Sequence, residues 1–397
     1  MKLAIVMGIY AMMGIIIIAL PVFFETKTNR LLFILGMVIT ILSVSLIGAF
    51  ITPPEIYDIY RHYLLMDEIR DNQWSFGYSI FKGIPESNSN YKSTYIYNIL
   101  ITLIAKLFPN EFLPFITSII CYSVFVYIFF KEFNGDINKE KNFVLSILLC
   151  STLLPYLYIY SGIRNAMAAS IAAFGIYRYF KVDGSVLYVC IWLVVALMVH
   201  PFAITAAIVL VMHIFSPKIK YFLFILIFPR LIEPIMEWCR LSSGNDFLFR
   251  IGAKYYNYTK VRVDDQGKVF LYVPIIMLLL LTVLLLGCSR KKRNDILNGI
   301  ILNSKDTKAV KLEFVTQDDY LISGIWWYLI LALGFINAEN IILRFPFFLG
   351  GISPFIIKKT FYDELSRDCF SWIKLVSLII ITGASILILY ENIAWLA

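Results

Sequence analysis

Charge is scarce in this 397-residue chain, where Lys, Arg, Asp and Glu together make up 16% of the residues. A soluble globular domain carries about 25%. Histidine is scarcer still, with three in the whole sequence. The six cysteines (Cys121, Cys150, Cys190, Cys239, Cys288 and Cys369) show no CxxC or CxxH spacing and mostly sit in or beside apolar runs. They read as small apolar fillers rather than zinc ligands or disulfides. No HExxH, Gly-rich phosphate loop, GxSxG elbow or Rossmann fingerprint occurs, so no nucleotide site can be argued and no cofactor is expected. Low-complexity tracts, a soluble domain and a convincing inverted repeat are missing as well. These absences exclude an ordinary water-soluble enzyme.

What the chain has instead is apolar surface. Hydrophobic residues make up 60% of it, which also excludes a disordered protein. The mean hydropathy is +0.77. Phe 32, Tyr 25 and Trp 7 suit the aromatic belts at the two faces of a bilayer. A hydrocarbon core of about 30 Å needs roughly 20 apolar residues per helix. Apolar runs at 3–24, 31–51, 112–130, 143–160, 165–180, 186–200, 202–216, 219–236, 270–287, 320–336, 341–357 and 371–390 predict about twelve spanning helices. The first is too long for a signal-peptide core, lacks an A-x-A site and leads straight into the second, so it reads as a membrane helix. A further run, 94–108, is short and contains Lys106, and predicts a helix lying at the interface, with a short span as the alternative. The expected fold is an all-α integral membrane protein, residues 1–397 forming one polytopic domain.

The formal net charge is +8, but the basic residues lie in short segments between apolar runs, as topology signals do. Nucleic acid is therefore not an expected partner; the lipid bilayer is. If the segment with Lys27 and Arg30 is cytoplasmic, then 131–141, 178–181, 218–220, 288–319 and 358–374 share its side. The external segment 52–111, the external loop 237–269, 161–164, 200–201 and 337–344 fall opposite.

On that opposite side the unusual polar residues gather. After Thr52-Pro53-Pro54-Glu55, a helix start, Asp58, Arg61 and His62 share one helical face, and Asp58 and His62 are i, i+4 neighbours. A carboxylate there would raise the imidazole pKa. One reading is a solvated interfacial surface; the other is substrate contact or acid–base help. At Tyr160-Ser161-Gly162-Ile163-Arg164-Asn165-Ala166 two apolar helices meet at a tight turn, and an arginine opens the second. The helix dipole disfavours a cation there, whereas an anion held by guanidinium and free N–H groups would fit. The alternative is an arginine snorkelling to headgroups. His200 ends one apolar helix and Pro201 starts the next, where the dipole favours an imidazolium and titration near neutrality suits proton transfer; a structural histidine is the rival reading. Arg344 opens another helix on the same side. His213 reads as structural. Arg230, Glu233 and Glu237 share one face and are expected to pair among themselves. A metal site from Asp58, His62 and His200 lacks a recognisable spacing, and none is expected.

These residues resemble, in order, the EpsG-type, Wzy-like polysaccharide polymerases of bacterial surface-glycan clusters. The carriers are Tyr57-Asp58-Ile59-Tyr60, then Gly162-Ile163-Arg164-Asn165-Ala166-Met167-Ala168, then His200-Pro201-Phe202-Ala203, and the Arg344 helix start. Asn165 stands where the family's pattern has Gln, and Pro201-Phe202 where Lys-Ser often follows the histidine. The basic residue and glycine that often precede the early aspartate are absent. The resemblance implies glycosyl transfer between undecaprenyl-pyrophosphate-linked oligosaccharide units at the outer face of the bacterial inner membrane, in O-antigen or related glycan synthesis. It implies His200, Arg164 and Asp58 as catalytic residues. It implies Arg164, Arg344, Arg61, His62 and Asn165 as pyrophosphate or glycan contacts, and it admits a chain-length regulator as a partner. Two rival classes remain: a lipid-linked oligosaccharide flippase, which should show two similar halves and mid-membrane polar groups, and an integral membrane acyltransferase, whose His and Arg should be reachable from the cytoplasm.

Overall fold

The computed structural model describes residues 58–75, 94–133, 140–155, 162–214, 219–242, 272–285, 316–335, 338–362 and 376–385. It also describes scattered positions within 38–46, 77, 159–160, 244–256 and 387. Among the described residues all regular structure is helical. In chain order the helices are α1 (Asp58–Asp71), α2 (Tyr95–Leu107), α3 (Phe112–Phe133), α4 (Glu140–Leu153), α5 (Ile163–Arg178), α6 (Val186–Val199), α7 (Ala207–Met212) and α8 (Ile219–Leu241). They continue with α9 (Tyr272–Leu285), α10 (Gln317–Gly334), α11 (Phe345–Ile357) and α12 (Val376–Ser385).

Two stretches, Phe112–Phe133 and Asn340–Phe361, are long and apolar enough to cross a membrane among the described residues. Five further apolar helices are shorter. The expected count of about twelve spans thus exceeds what the described residues display, and the first predicted span, 3–24, lies outside them. Two boundaries differ for local reasons. The run 143–160 is interrupted as a helix after Leu153, with Ile159 and Tyr160 helical again, because Pro155 pushes the residue before it out of the helical region. The Leu154 carbonyl instead accepts a hydrogen bond from the Tyr122 hydroxyl at 3.3 Å. The run 202–216 begins as a 3-10 helix, Pro201–Ala206, before α7. The stretch 94–108 is a 13-residue helix, about 20 Å long. That is short of the ~30 Å hydrocarbon core.

Helices α5 and α11 occupy the centre. Both pack on α3, α11 also packs on α4, and α6 covers another side of α5. Small residues make this possible, since they let helix backbones approach closely. Ala166, Ala168, Ala169, Ala172 and Ala173 are all buried. A Cβ added at Gly175 would lie 2.5 Å from the Trp192 Cβ, and one at Gly350 would lie 2.6 Å from the Leu154 Cβ.

One end of this bundle is tied by charge. Beyond α5 the chain makes a π-helical turn, Tyr179–Asp183, and beyond α11 another, Lys358–Tyr362. The buried Glu132 near the end of α3 accepts a hydrogen bond from the Tyr177 hydroxyl at 2.7 Å. It lies 3.0 Å from the Lys358 ammonium and 3.5 Å from that of Lys181. Lys181 also meets Asp318 at 2.5 Å, and Lys359 reaches the other oxygen of Asp318 at 2.6 Å. Burial pushes the Asp318 carboxyl up, but hydrogen bonds from Lys181 and Lys359 outweigh it and hold the group below its ordinary range. The far ends of α3, α5 and α11 and the start of α10 therefore meet in a chain of alternating charge. By helix direction, the starts of α3, α5 and α11 lie at the opposite end.

Candidate functional site

At that opposite end α5 begins. Gly162 caps it with φ −126°, and Arg164 and Asn165 stand in its first turn, both about 8% exposed. An arginine that snorkelled to lipid would be open; this one turns inward. Its guanidinium lies 5.6 Å over the Tyr97 ring of α2 and 3.9 Å from the Asp58 carboxylate of α1. His62, one turn after Asp58, places its Nε2 3.3 Å from the same carboxylate oxygen. Its ring meets Tyr97 edge-on at 5.2 Å. Packing of α1 on α2 and of α2 on α6 holds the group in place. The i, i+4 contact expected from the spacing of Asp58 and His62 is present, and Arg164, a hundred residues away in sequence, joins it.

Depth divides the three. The His62 side chain is fully buried and that of Arg164 is 9% exposed, while that of Asp58 is 33% exposed. Burial lowers the His62 pKa; Asp58 opposes this, and the positive charges of Arg164 and Arg61 reinforce it. The expectation of a raised imidazole pKa is therefore corrected, because desolvation exceeds the effect of the neighbouring carboxylate. For Asp58 the balance runs the other way. Burial pushes the carboxyl up, but His62, Arg164 and Arg61 together hold it well below the usual carboxylate range. The site thus carries a permanently ionised carboxylate at its mouth, a neutral imidazole behind it, and two guanidinium groups. Arg61 is solvent-exposed. The Asn165 side-chain oxygen is buried and lacks a hydrogen-bond partner among the described residues. An orphaned buried acceptor costs about 1–3 kcal/mol, so a donor supplied from outside would be favoured there.

His200 and Arg344 belong to a second grouping. His200 is 6% exposed and has extended backbone, φ −156°, the conformation that a following proline favours. Its Nδ1 accepts a hydrogen bond from the Phe202 N–H at 3.1 Å and so caps the 3-10 helix. An Nδ1 that accepts must be unprotonated, so the capped ring is the neutral tautomer with its proton on Nε2. The helix dipole alone suggested an imidazolium; the cap opposes it. The Phe202 ring stands edge-on to Phe345 at 5.2 Å, and the Arg344 guanidinium lies 6.0 Å over Phe202. The 3-10 helix itself packs against α5.

His213 packs as its structural reading implies, whereas other residues pair differently from the expectation or were not singled out by the sequence. His213 packs edge-on against Phe180 and Tyr320, at 5.2 and 5.4 Å. Glu237 pairs with Arg240, one turn further on, at 2.9 Å from Nε; that arginine was not among its expected partners. Tyr97, which joins His62 to Arg164, carried no motif and no unusual spacing. Among the described residues no His, Cys, Asp and Glu group has a metal-holding arrangement.

The EpsG family model matches residues 57–394. The match opens one residue before Asp58 and takes in Arg164, His200 and Arg344. Searches of curated proteins and of solved structures found no match. The chain belongs to the EpsG family.

Proposed function

We propose that this EpsG-family chain is a membrane polysaccharide polymerase. In this reading it transfers a growing glycan from its undecaprenyl pyrophosphate carrier to the terminal sugar of the next lipid-linked unit. The reaction takes place at the outer face of the bacterial inner membrane, and the end of the bundle bearing Arg164 faces outward. The observation that carries the reading is the union of Arg164 with Asp58 and His62 across the start of α5. It gathers, inside the family-matched segment, the charge a pyrophosphate leaving group requires.

The chemistry follows from the groups present. An acceptor hydroxyl attacks the anomeric carbon of the donor glycan. A new C–O bond forms there while the bond from that carbon to the pyrophosphate oxygen breaks, and the electron pair leaves with the pyrophosphate. Arg164 neutralises that leaving group, and its planar fork suits phosphate oxygens better than an ammonium does. Arg61, exposed on the same helix as Asp58, adds a second positive charge. Asp58 is ionised at any physiological pH, so it can accept a hydrogen bond from the acceptor hydroxyl. It takes the proton as the forming bond makes that hydroxyl acidic. His62, neutral and buried, holds Asp58 in position. Asn165 offers a side-chain oxygen that is unpartnered among the described residues to a sugar hydroxyl. His200, with its proton on Nε2, is suited to donate toward the substrate rather than to act as base.

Deletion of the gene followed by sizing of the surface glycan tests the reading. Single repeat units attached to the acceptor are expected, whereas a missing flippase leaves none. Restoring the gene with Arg164→Lys should leave protein levels normal and polymer reduced by at least about tenfold, since the charge survives but the bidentate fork does not. Full-length polymer in the deletion strain, or from the Lys variant, would overturn it.

A further inference from the structure

A cavity of about 820 Å³ opens at the other end of α1, between that helix and the α2–α3 turn; Gln73, Lys106, Phe108 and Glu111 are among its lining residues. We infer that this cavity is a binding subsite for the oligosaccharide portion of the substrate, distant from the reacting carbon. The inference rests on the proposed polymerase reading and adds a second site to it.

Three observations carry it. The cavity wall is prebuilt. Arg70 donates from Nε to the Ala105 carbonyl at 2.7 Å, from one terminal nitrogen to Asn110 at 2.6 Å and Asp67 at 2.8 Å, and from the other to the Phe108 carbonyl at 2.8 Å. Four bonds from a group with five donors leave it little capacity for a ligand. Its part is to lock the α2–α3 turn, and pre-organisation of that kind reduces the cost of binding.

The wall also presents an aromatic face beside hydrogen-bonding groups. Phe108 is 39% exposed and is backed by Phe112, stacked at 4.6 Å with 14° between the rings. A ring face carries negative potential and attracts the weakly positive C–H face of a sugar. Around it the amide of Gln73, the ammonium of Lys106 and the carboxylate of Glu111 offer donors and acceptors to hydroxyls. Half of the ten lining residues are polar or charged and half apolar, a mixture that meets both the hydroxyls and the C–H faces of a sugar.

Third, Gln73 has φ 49°, the one positive φ at a non-glycine among the described residues. It sits just past the end of α1, and its N–H meets the Arg70 carbonyl at 3.0 Å. Glycine or asparagine is the usual occupant of a left-handed position after a helix. A glutamine there carries backbone strain, and strain of this kind gathers at binding sites. Its exposed side chain, rather than its backbone, gives the position a use.

The span fits the chemistry. Along α1, from Asp58 to the cavity is about 20 Å, room for a few linked sugar rings between the reacting end and this subsite.

The test titrates the full-length, detergent-solubilised protein by calorimetry with the repeat-unit oligosaccharide released from the host's surface glycan by mild acid. Wild type should bind, and Gln73→Gly and Phe108→Ala should each weaken binding by about tenfold. Gln73→Gly relieves the backbone, so weakened binding in that variant cannot come from misfolding. Absence of binding by wild type, or unchanged affinity in both cavity variants, would overturn the subsite. Binding that depends on Gln73 and Phe108 in a protein that elongates no glycan would uphold the subsite and sink the polymerase reading instead.

Discussion

His200 combines two roles that a single alanine substitution would confuse. Its Nδ1 caps the 3-10 helix by accepting from the Phe202 N–H, and in the proposed reaction its Nε2 donates toward the substrate. Asparagine at a helix start also accepts from backbone N–H groups, so His200→Asn keeps the cap and removes the imidazole. We expect His200→Ala to lower both polymer and protein level, since loss of a cap costs about 1 kcal/mol. We expect His200→Asn to restore the protein level but not the polymer, as read by immunoblot beside glycan sizing. Polymer restored by asparagine would make the residue a cap and nothing more. At this scale the sequence was informative where local spacing carries contact. The Asp58–His62 pair follows from i, i+4 geometry, and Arg164 stood out as a cation at a helix start. Tyr97 was illegible, because an aromatic in an amphipathic helix looks alike whether it packs in a core or joins two charged groups.

At the scale of elements, α5 shows how the sequence sets the distance between helices. Its buried alanines and Gly175 let α6 and α11 approach, and α11 reciprocates with Gly350 against Leu154 and Gly351 against Ala173. The crowding differs by position. A Cβ at Gly351 would lie 3.3 Å from that of Ala173, whereas one at Gly350 would lie 2.6 Å from that of Leu154. Overpacking typically costs ~1–3 kcal/mol. Gly350→Leu should therefore lower the thermal midpoint in detergent by several degrees, and Gly351→Ala should shift it far less. Equal shifts would mean that α4 and α11 are not held as closely as described. The small-residue character of α5 was plain in the sequence. The break of the fourth helix at Leu153 was not, although Pro155 signals it, because the apolar run continues through the proline to Tyr160. Hydropathy counts residues and is blind to a helix ending within a run.

The whole molecule sets two chemically different ends against each other. One holds Lys358, Glu132, Lys181, Asp318 and Lys359 in alternating contact; the other holds Asp58, His62 and Arg164. The residues of the first group lie up to 227 positions apart, and each reads in isolation as a loop charge, so the sequence could assign them a common side but not a common contact. Along α5 from Arg164 to Lys181 the separation is about 25 Å, close to a hydrocarbon thickness of ~30 Å. The lysine-rich end carries Lys181, Lys358 and Lys359, which belong to segments that the positive-inside rule assigns to the cytoplasm. The proposed chemistry requires the other end to face outward, so one labelling experiment bears on both. In a background without the native cysteines, Gln73→Cys, beside the start of the bundle, should react with an impermeant thiol reagent in intact cells. Ser185→Cys, just past the turn that bears Lys181, should react only after the membrane is permeabilised. Both positions are solvent-exposed, so a difference between them reports side rather than depth. The reverse pattern would turn Arg164 toward the cytoplasm, where a donor displayed on the outer face could not reach it, and the polymerase reading would fall with the topology.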